Sequence, residues 1–249
     1  MCRILRVAAW FVAAVSAGEP QSAPTPPEPT GTIQGRTIFI GDPDKYVPVP
    51  VYLDERFGSC FKLPEPVRTE HVVLNRTTQP PTLRNVLVWV RTQVDGRTFP
   101  IPTQPVLLEL RDCRFAPRVV ALMAGQTLRV VNKDPEICHI HFLPEVNKEL
   151  NYTIPQQGGS RDFTLVPEWP IPVKSDICPW MIAWVAVFDH PFFAVSGEDG
   201  SFALTNLPPG KYSVEAWHET FGTLQKNIDL GPGETKKLDL TFEPPPRTP

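Results

Sequence analysis

The stretch Val173-Lys174-Ser175-Asp176-Ile177-Cys178-Pro179-Trp180-Met181 sits between two apolar runs, Ile171-Pro-Val173 and Ile182-Ala-Trp-Val-Ala-Val-Phe188. Short apolar runs bounded by turn-forming residues read as strands. The stretch is therefore a loop between strands, and it carries a hydroxyl, a thiol and a thioether. A second stretch, Asn132-Lys-Asp-Pro-Glu-Ile-Cys138-His139-Ile140-His141-Phe142, follows the strand pattern Thr127-Leu-Arg-Val-Val131 and its Gly125-Gln126 turn.

Side by side, the two stretches resemble the copper loops of the cupredoxin family, in its amicyanin- and plastocyanin-like form. That family writes the first loop Asn-x5-His-Asn-x-His-Phe and the second Cys-x-x-His-Pro-x-Met. Its centre holds copper with two imidazoles, one thiolate and a weak axial thioether. Asn132, His141, Phe142, Pro179, Trp180 and Met181 fall where the pattern wants them. Cys138 stands in place of the first ligand histidine, Ser175 in place of the thiolate, and Cys178 in place of the second histidine. Of the ligands only Met181 is kept. A serine hydroxyl stays protonated near neutral pH and is a poor copper ligand, so electron transfer at a blue-copper centre is not carried over. The resemblance covers residues 105–188, which implies a cupredoxin-like β-sandwich there. Within it Val106–Leu110 reads as a first strand, 113–117 as a kink, and Ser160–Val166 as a further strand.

The phrase Gly197-Glu-Asp-Gly-Ser-Phe-Ala-Leu-Thr-Asn-Leu-Pro-Pro-Gly-Lys-Tyr212 carries a second resemblance. It is similar to the carboxypeptidase regulatory-like, or prealbumin-like, domain, which writes Asp-Gly-x-Phe before one strand and Leu-Pro-x-Gly-x-Tyr before the next. Asp199-Gly200 reads as a hairpin turn with positive backbone angles. Two further strands are expected at 227–230 and 237–242. That family begins with a Gly-x-x-x-Gly strand and an apolar second strand. These are absent just upstream of Ala194 and are found instead at Gly31–Gly41 and Asn85–Arg91. The implied organisation is a discontinuous sandwich of residues 31–104 plus 189–243, with 105–188 inserted; a separate N-terminal β-unit is the alternative. Tyr46–Leu53, interrupted by prolines, reads as an edge strand.

The fold class expected is all-β. The 31 prolines in 249 residues agree with short strands and loops. Residues 1–17 read as a signal peptide, with Arg3 and Arg6, a short apolar core and the small-residue site Val15-Ser16-Ala17. The apolar run is too short to span a membrane, so no span is expected after cleavage. Residues 18–30 read as a Pro-rich linker and 244–249 as a tail. Localisation is expected to be exported, periplasmic or extracellular. The net charge of −3 gives no sign of a nucleic-acid partner.

Four cysteines remain beyond the signal: Cys60, Cys113, Cys138 and Cys178. An even count in an oxidising compartment favours disulfides. The cupredoxin resemblance puts Cys138 and Cys178 where two ligands of one metal would converge, which implies a disulfide that replaces the copper as a staple. Cys60 and Cys113 then form the remaining pair. The competing reading is a reduced, soft Cu(I) site of Cys138, Cys178 and Met181. The plainest is two buried thiols acting as small hydrophobes. His139 and His141 read as strand-edge histidines, His190 and His218 as turn or packing residues, and His71 carries no signal. Asn75 and Asn151 each open a glycosylation pattern.

No nucleophile motif, phosphate loop or metal-hydrolase motif is present. The expected function is an exported, non-enzymatic protein with no cofactor and a structural or binding role, toward a glycan or a cell-surface protein. The alternative is a copper-handling protein that holds Cu(I); electron transfer is the weaker alternative.

Overall fold

The computed structural model describes residues 29–91 and 97–245. The expected signal peptide, most of the linker and most of the tail lie outside these residues. Strands dominate: β1 (Gly31–Phe39), β2 (Leu74–Asn75), β3 (Thr82–Leu83), β4 (Leu87–Val90), β5 (Val106–Arg111), β6 (Arg114–Ala116), β7 (Val119–Met123), β8 (Thr127–Asn132), β9 (Cys138–Phe142) and β10 (Leu150–Ile154). The order continues with β11 (Ser160–Thr164), β12 (Glu168–Lys174), β13 (Ile182–Phe188), β14 (Phe193–Val195), β15 (Ser201–Leu207), β16 (Gly210–His218), β17 (Gly222–Leu230), β18 (Thr235–Lys237) and β19 (Leu240–Phe242). The helical segments are 3₁₀ turns at Pro43–Tyr46 and Glu55–Lys62. The class is all-β, and no described helix is long and apolar enough to cross a membrane.

Two sandwiches result. In the first, the sheet β10-β9-β12-β13-β7 faces the sheet β11-β8-β5-β6. Alternation builds it: Cys138, Ile140 and Phe142 of β9 point inward, while His139 and His141 lie on the outer face. The second sandwich packs β14-β4-β16-β17 against a sheet centred on β1. There β1 pairs antiparallel with β15 and β3, and parallel with β18 and β19. Strand β4 pairs with β14 and β16. The early strands thus lie in the sheets of the late ones. Gly200 takes a φ of 75°, as the Asp199-Gly200 turn requires.

Strand β4 is buried along its whole length and has no polar face. Val88 and Val90 fill the core of the second sandwich, and Leu87 and Trp89 face the first. They meet Val119, Ala186 and Phe188 there, with Trp169, Trp184 and Trp217 around them. One ion pair is sunk into this junction. The Arg118 guanidinium donates to both oxygens of Glu219 at 2.5 and 2.8 Å, with side chains only 5% and 9% exposed. Trp184 Nε1 donates to the same carboxylate at 3.1 Å, and Arg118 also donates to the Ile182 carbonyl. Burial would raise the Glu219 carboxyl, but the Arg118 hydrogen bonds and charge, with Trp184 and His71, hold it below the ordinary range.

Two sequence expectations are corrected. Tyr46–Leu53 is not a strand; only Pro50 makes an isolated bridge, to Arg68. Pro48 and Pro50 have no N–H for a ladder. The kink at 113–117 is the second arm of a hairpin. Arg111 pairs with Arg114, and Asp112 and Cys113 form the turn with φ of 52° and 57°.

His218 is 2% exposed and stacks on Phe221 at 4.8 Å. Burial pushes its pKa down to about 4, with the Glu219 charge opposing and the Arg118 charge adding. The unfolded chain takes up this proton near 6.5 and the folded chain only near 4, so stability is lost as pH falls through that window. Urea unfolding should lose about 3 kcal/mol more between those pH values than the His218→Gln variant does. Equal slopes in the two proteins would contradict the assignment.

Candidate functional site

Asn132, at the end of β8, organises the first loop. It is fully buried. Its Oδ1 accepts from Asp134 N and from the Cys138 thiol, both at 2.8 Å, and its Nδ2 donates to the Glu136 and Ile154 carbonyls. That uses all the hydrogen-bonding capacity of one amide. The thiol of Cys138 is therefore a donor and protonated. Burial pushes its pKa up to about 12, with the charges of Asp134 and Cys178 adding.

The second loop is closed by Ser175. Its Oγ accepts from Ile177 N at 3.3 Å and Cys178 N at 3.1 Å. Ser175 N donates to Met181 O, and Met181 N to Cys178 O. The hydroxyl is thus spent on the turn. Cys178 is half-buried, and burial, with the Asp134 charge, also raises its thiol pKa.

The structure brings Cys138, Ser175, Cys178 and Met181 to one cleft of about 280 Å³. Cys60 and Cys113 line it too, so all four described cysteines meet there. Cys60 and Cys113 form a disulfide, with Cα atoms 5.7 Å apart. The expected Cys138–Cys178 disulfide is not made; both are free thiols. The Cys138 thiol is turned to the Asn132 carbonyl oxygen instead. The pairing of Cys60 with Cys113 thus does not depend on the other pair. Among the described residues, no group of three or more His, Cys, Asp or Glu is arranged to hold a metal. The sulfur set of Cys138, Cys178 and Met181 is of another kind, two thiols and a thioether, and suits a soft d¹⁰ ion rather than Cu(II).

The sequence gives no sign of what covers this cleft. Arg56, Phe57 and Gly58, from the Glu55–Lys62 turns of the other sandwich, line its mouth. Ser59 N donates to Glu136 Oε1 at 3.0 Å, and Phe57 meets Trp180 edge-on at 4.9 Å. Gly58 has a φ of 52° and a ψ of −120°, backbone angles that side chains rarely adopt, so glycine suits this turn of the cap. Asp134 accepts from Asp112 N and Cys113 N and so fixes the disulfide hairpin to the first loop. Trp180 Nε1 donates to Cys113 O and ties in the second loop.

His139 also lines this cleft, but its ring nitrogens are turned to the second loop and to β10. His139 Nδ1 accepts from Asp176 N at 3.1 Å, while its Nε2 faces Asn151 Oδ1 at 2.8 Å, so it is the neutral Nε2–H tautomer. His141 lies between Asp176 and Glu149. Both latch the second loop from β9. His190 Nε2 bonds the Val90 carbonyl, and Phe192 N donates to its Nδ1, a turn role as expected.

Residues 183–243 match the family model described as the carboxypeptidase regulatory-like domain. A comparison with curated proteins finds no match. Among solved structures, the chain is similar to a mutant amicyanin, at 12% identity over 40% of this chain and 97% of that one, with a TM-score of 0.31. It is also similar to a purple cupredoxin from Nitrosopumilus maritimus, at 15% identity over 32% of this chain and 97% of that one, with a TM-score of 0.29. A third similarity is to a copper-containing nitrite reductase from Thermus scotoductus, at 17% identity over 40% of this chain, with a TM-score of 0.30; the match spans a quarter of that enzyme's length.

The cap predicts a stability effect. The disulfide closes a loop across a sequence separation of 53. The Cys60→Ala/Cys113→Ala variant should lose roughly 3–5 kcal/mol in urea unfolding, and its Cys178 should alkylate faster in the native state. Unchanged stability and unchanged alkylation would contradict the role assigned to the cap. With these contacts in place, the region that matches the carboxypeptidase regulatory-like domain model, residues 183–243, runs from β13 of the first sandwich into the second.

Proposed function

We propose that this chain is an exported, non-enzymatic protein with a binding or structural role, its partner a glycan or a cell-surface protein. In this reading residues 31–104 and 189–243 form one domain, and 105–188 are inserted as a second. The observation that supports it most is the state of the rebuilt loops. The Ser175 hydroxyl accepts two backbone N–H groups, the Cys138 thiol is buried and the Cys178 thiol half-buried, and burial raises the pKa of both. Neither is a nucleophile at neutral pH, because the thiolate is the reactive form. The frame is kept as packing while its chemistry is silenced.

A second reading is favoured by one observation. Cys138 and Cys178 are free and share the cleft with Met181 and the Asp134 carboxylate. Two thiols and a thioether would hold Cu(I), and the carboxylate would balance its charge while the thiols give up protons. The protein would then store or pass on that ion.

Two arms of one experiment separate these readings. In the first, purified protein is sedimented with envelopes isolated from the cells that make it; the binding reading expects it in the pellet, and full recovery in the supernatant overturns it. In the second, copper is added. Cu(II) should produce no intense visible absorption, since the thiolate position is Ser175. Cu(I), offered against a chromophoric chelator, should load one ion per chain under the second reading, and none in Cys138→Ser/Cys178→Ser. Intense blue absorption with Cu(II) would contradict both.

A further inference from the structure

A second cleft, of about 500 Å³, opens on the outer face of the first sandwich, away from the cysteines. Its floor is made by Trp169, Pro170 and Pro172 of β12 and Trp184 of β13. Both indoles are half-buried and held from behind. Trp169 packs on Trp89 with centroids 4.2 Å apart. Trp184 packs edge-on against Trp217 at 5.0 Å, and its N–H is taken by Glu219. The wall is the 143–147 loop, and it is pinned as firmly. Leu143 N donates to Pro172 O at 2.9 Å. The Glu168 carboxylate accepts from Glu145 N, and from Asn147 N and Nδ2 at 2.7 Å each. Asn147 also exchanges two bonds with the backbone of Val166.

The lining therefore offers fixed aromatic surface and, at its rim, the Glu145 carboxylate. Among the described residues, that carboxylate has no hydrogen bond or ion pair, and no basic side chain lines the cleft. These features select a ligand. An indole face is electron-rich and attracts polarised C–H groups. A free carboxylate accepts from hydroxyl donors in strong, charge-assisted bonds. A pyranose presents both: an apolar C–H face and a hydroxyl at most carbons. A proline-rich peptide also fits aromatic grooves, but it brings few N–H donors for the Glu145 carboxylate. An anionic sugar would meet Glu145 and Glu168 with like charge.

We propose that the cleft floored by Trp169 and Trp184 binds a neutral saccharide, with Glu145 accepting from its hydroxyls. This rests on the binding reading above and gives it a place and a ligand class. The size suits a short oligosaccharide, within the usual range of ~300–1,000 Å³ for ligand clefts.

The test is titration of the full chain, by tryptophan fluorescence and calorimetry, with maltotetraose, cellotetraose and chitotetraose. Tetragalacturonate and a synthetic proline-rich peptide are the competing ligands. At least one neutral tetrasaccharide should bind, and tetragalacturonate should bind at least about tenfold more weakly. Glu145→Lys, on an exposed loop residue, should weaken binding by at least about tenfold, and Trp184→Leu should abolish it. If Trp184→Leu fails to fold, the test is carried by Glu145→Lys and by Val146→Lys, an exposed residue of the same lining whose new charge should weaken binding by a similar factor. The proposal is overturned if no neutral tetrasaccharide binds, if the variants bind as the parent does, or if the peptide binds more tightly. Failure here with envelope sedimentation intact removes this site only; failure of sedimentation as well removes the binding reading.

Discussion

Strand β1 has both of its edges taken by strands from the far end of the chain. One edge pairs with β15 and, at Ile38, with β3; the other runs parallel to β18 and β19. Unpaired strand edges are a liability that folding must resolve, and here residues 201–242 resolve most of it, with Thr82 of β3 closing the end at Ile38. Strand β4 makes the same demand through β14 and β16. Everything between, residues 105–188, must therefore leave and return at one side of this sandwich. That geometry presses β7 and β13 against β4 and concentrates the tryptophans at the junction. It also accounts for Arg118 and Glu219. A buried ion pair is tolerated when its hydrogen bonds are complete, and Ile182 O, Trp184 and His71 complete this one.

The same closure sets the cap. The chain from β1 to β4 crosses the end of the first sandwich with the Glu55–Lys62 turns. Cys60 meets Cys113 because the Asp112-Cys113 turn is held by Asp134, which in turn is held by Asn132. One buried amide thus connects a β-hairpin, a disulfide and a thiol. Where the cupredoxin pattern would converge on a metal, this chain converges on hydrogen bonds: Ser175 to two amides, Cys138 to Asn132.

Much of this was legible in the sequence, because local patterns carried it. The alternation of Cys138–Phe142, the Asp199-Gly200 turn and the apolar run at Leu87–Val90 each point to their elements. The partnership of early and late strands was legible only through missing pieces, the absent Gly-x-x-x-Gly strand upstream of Ala194. What was not legible depended on direction rather than identity. Convergence of Cys138 and Cys178 on one cleft follows from the loop pattern, but a disulfide also needs aligned side chains, and Asn132 turns Cys138 away. The two-residue hairpin at Asp112-Cys113 carries no glycine, so its positive φ had no signal. The cap could not be read from Arg56-Phe57-Gly58, since its role arises from Glu136, far along the chain. Nor does Trp169 or Trp184 announce a cleft floor; either reads as core until the fold leaves it half-buried.

The central claim is that the rebuilt loops hold two free thiols beside a disulfide staple. Peptide mapping by mass spectrometry, on protein alkylated under denaturing conditions without reductant, tests it most directly. The account predicts alkylated Cys138 and Cys178 and a single linked peptide joining Cys60 to Cys113. A linked peptide joining Cys138 to Cys178 would contradict it.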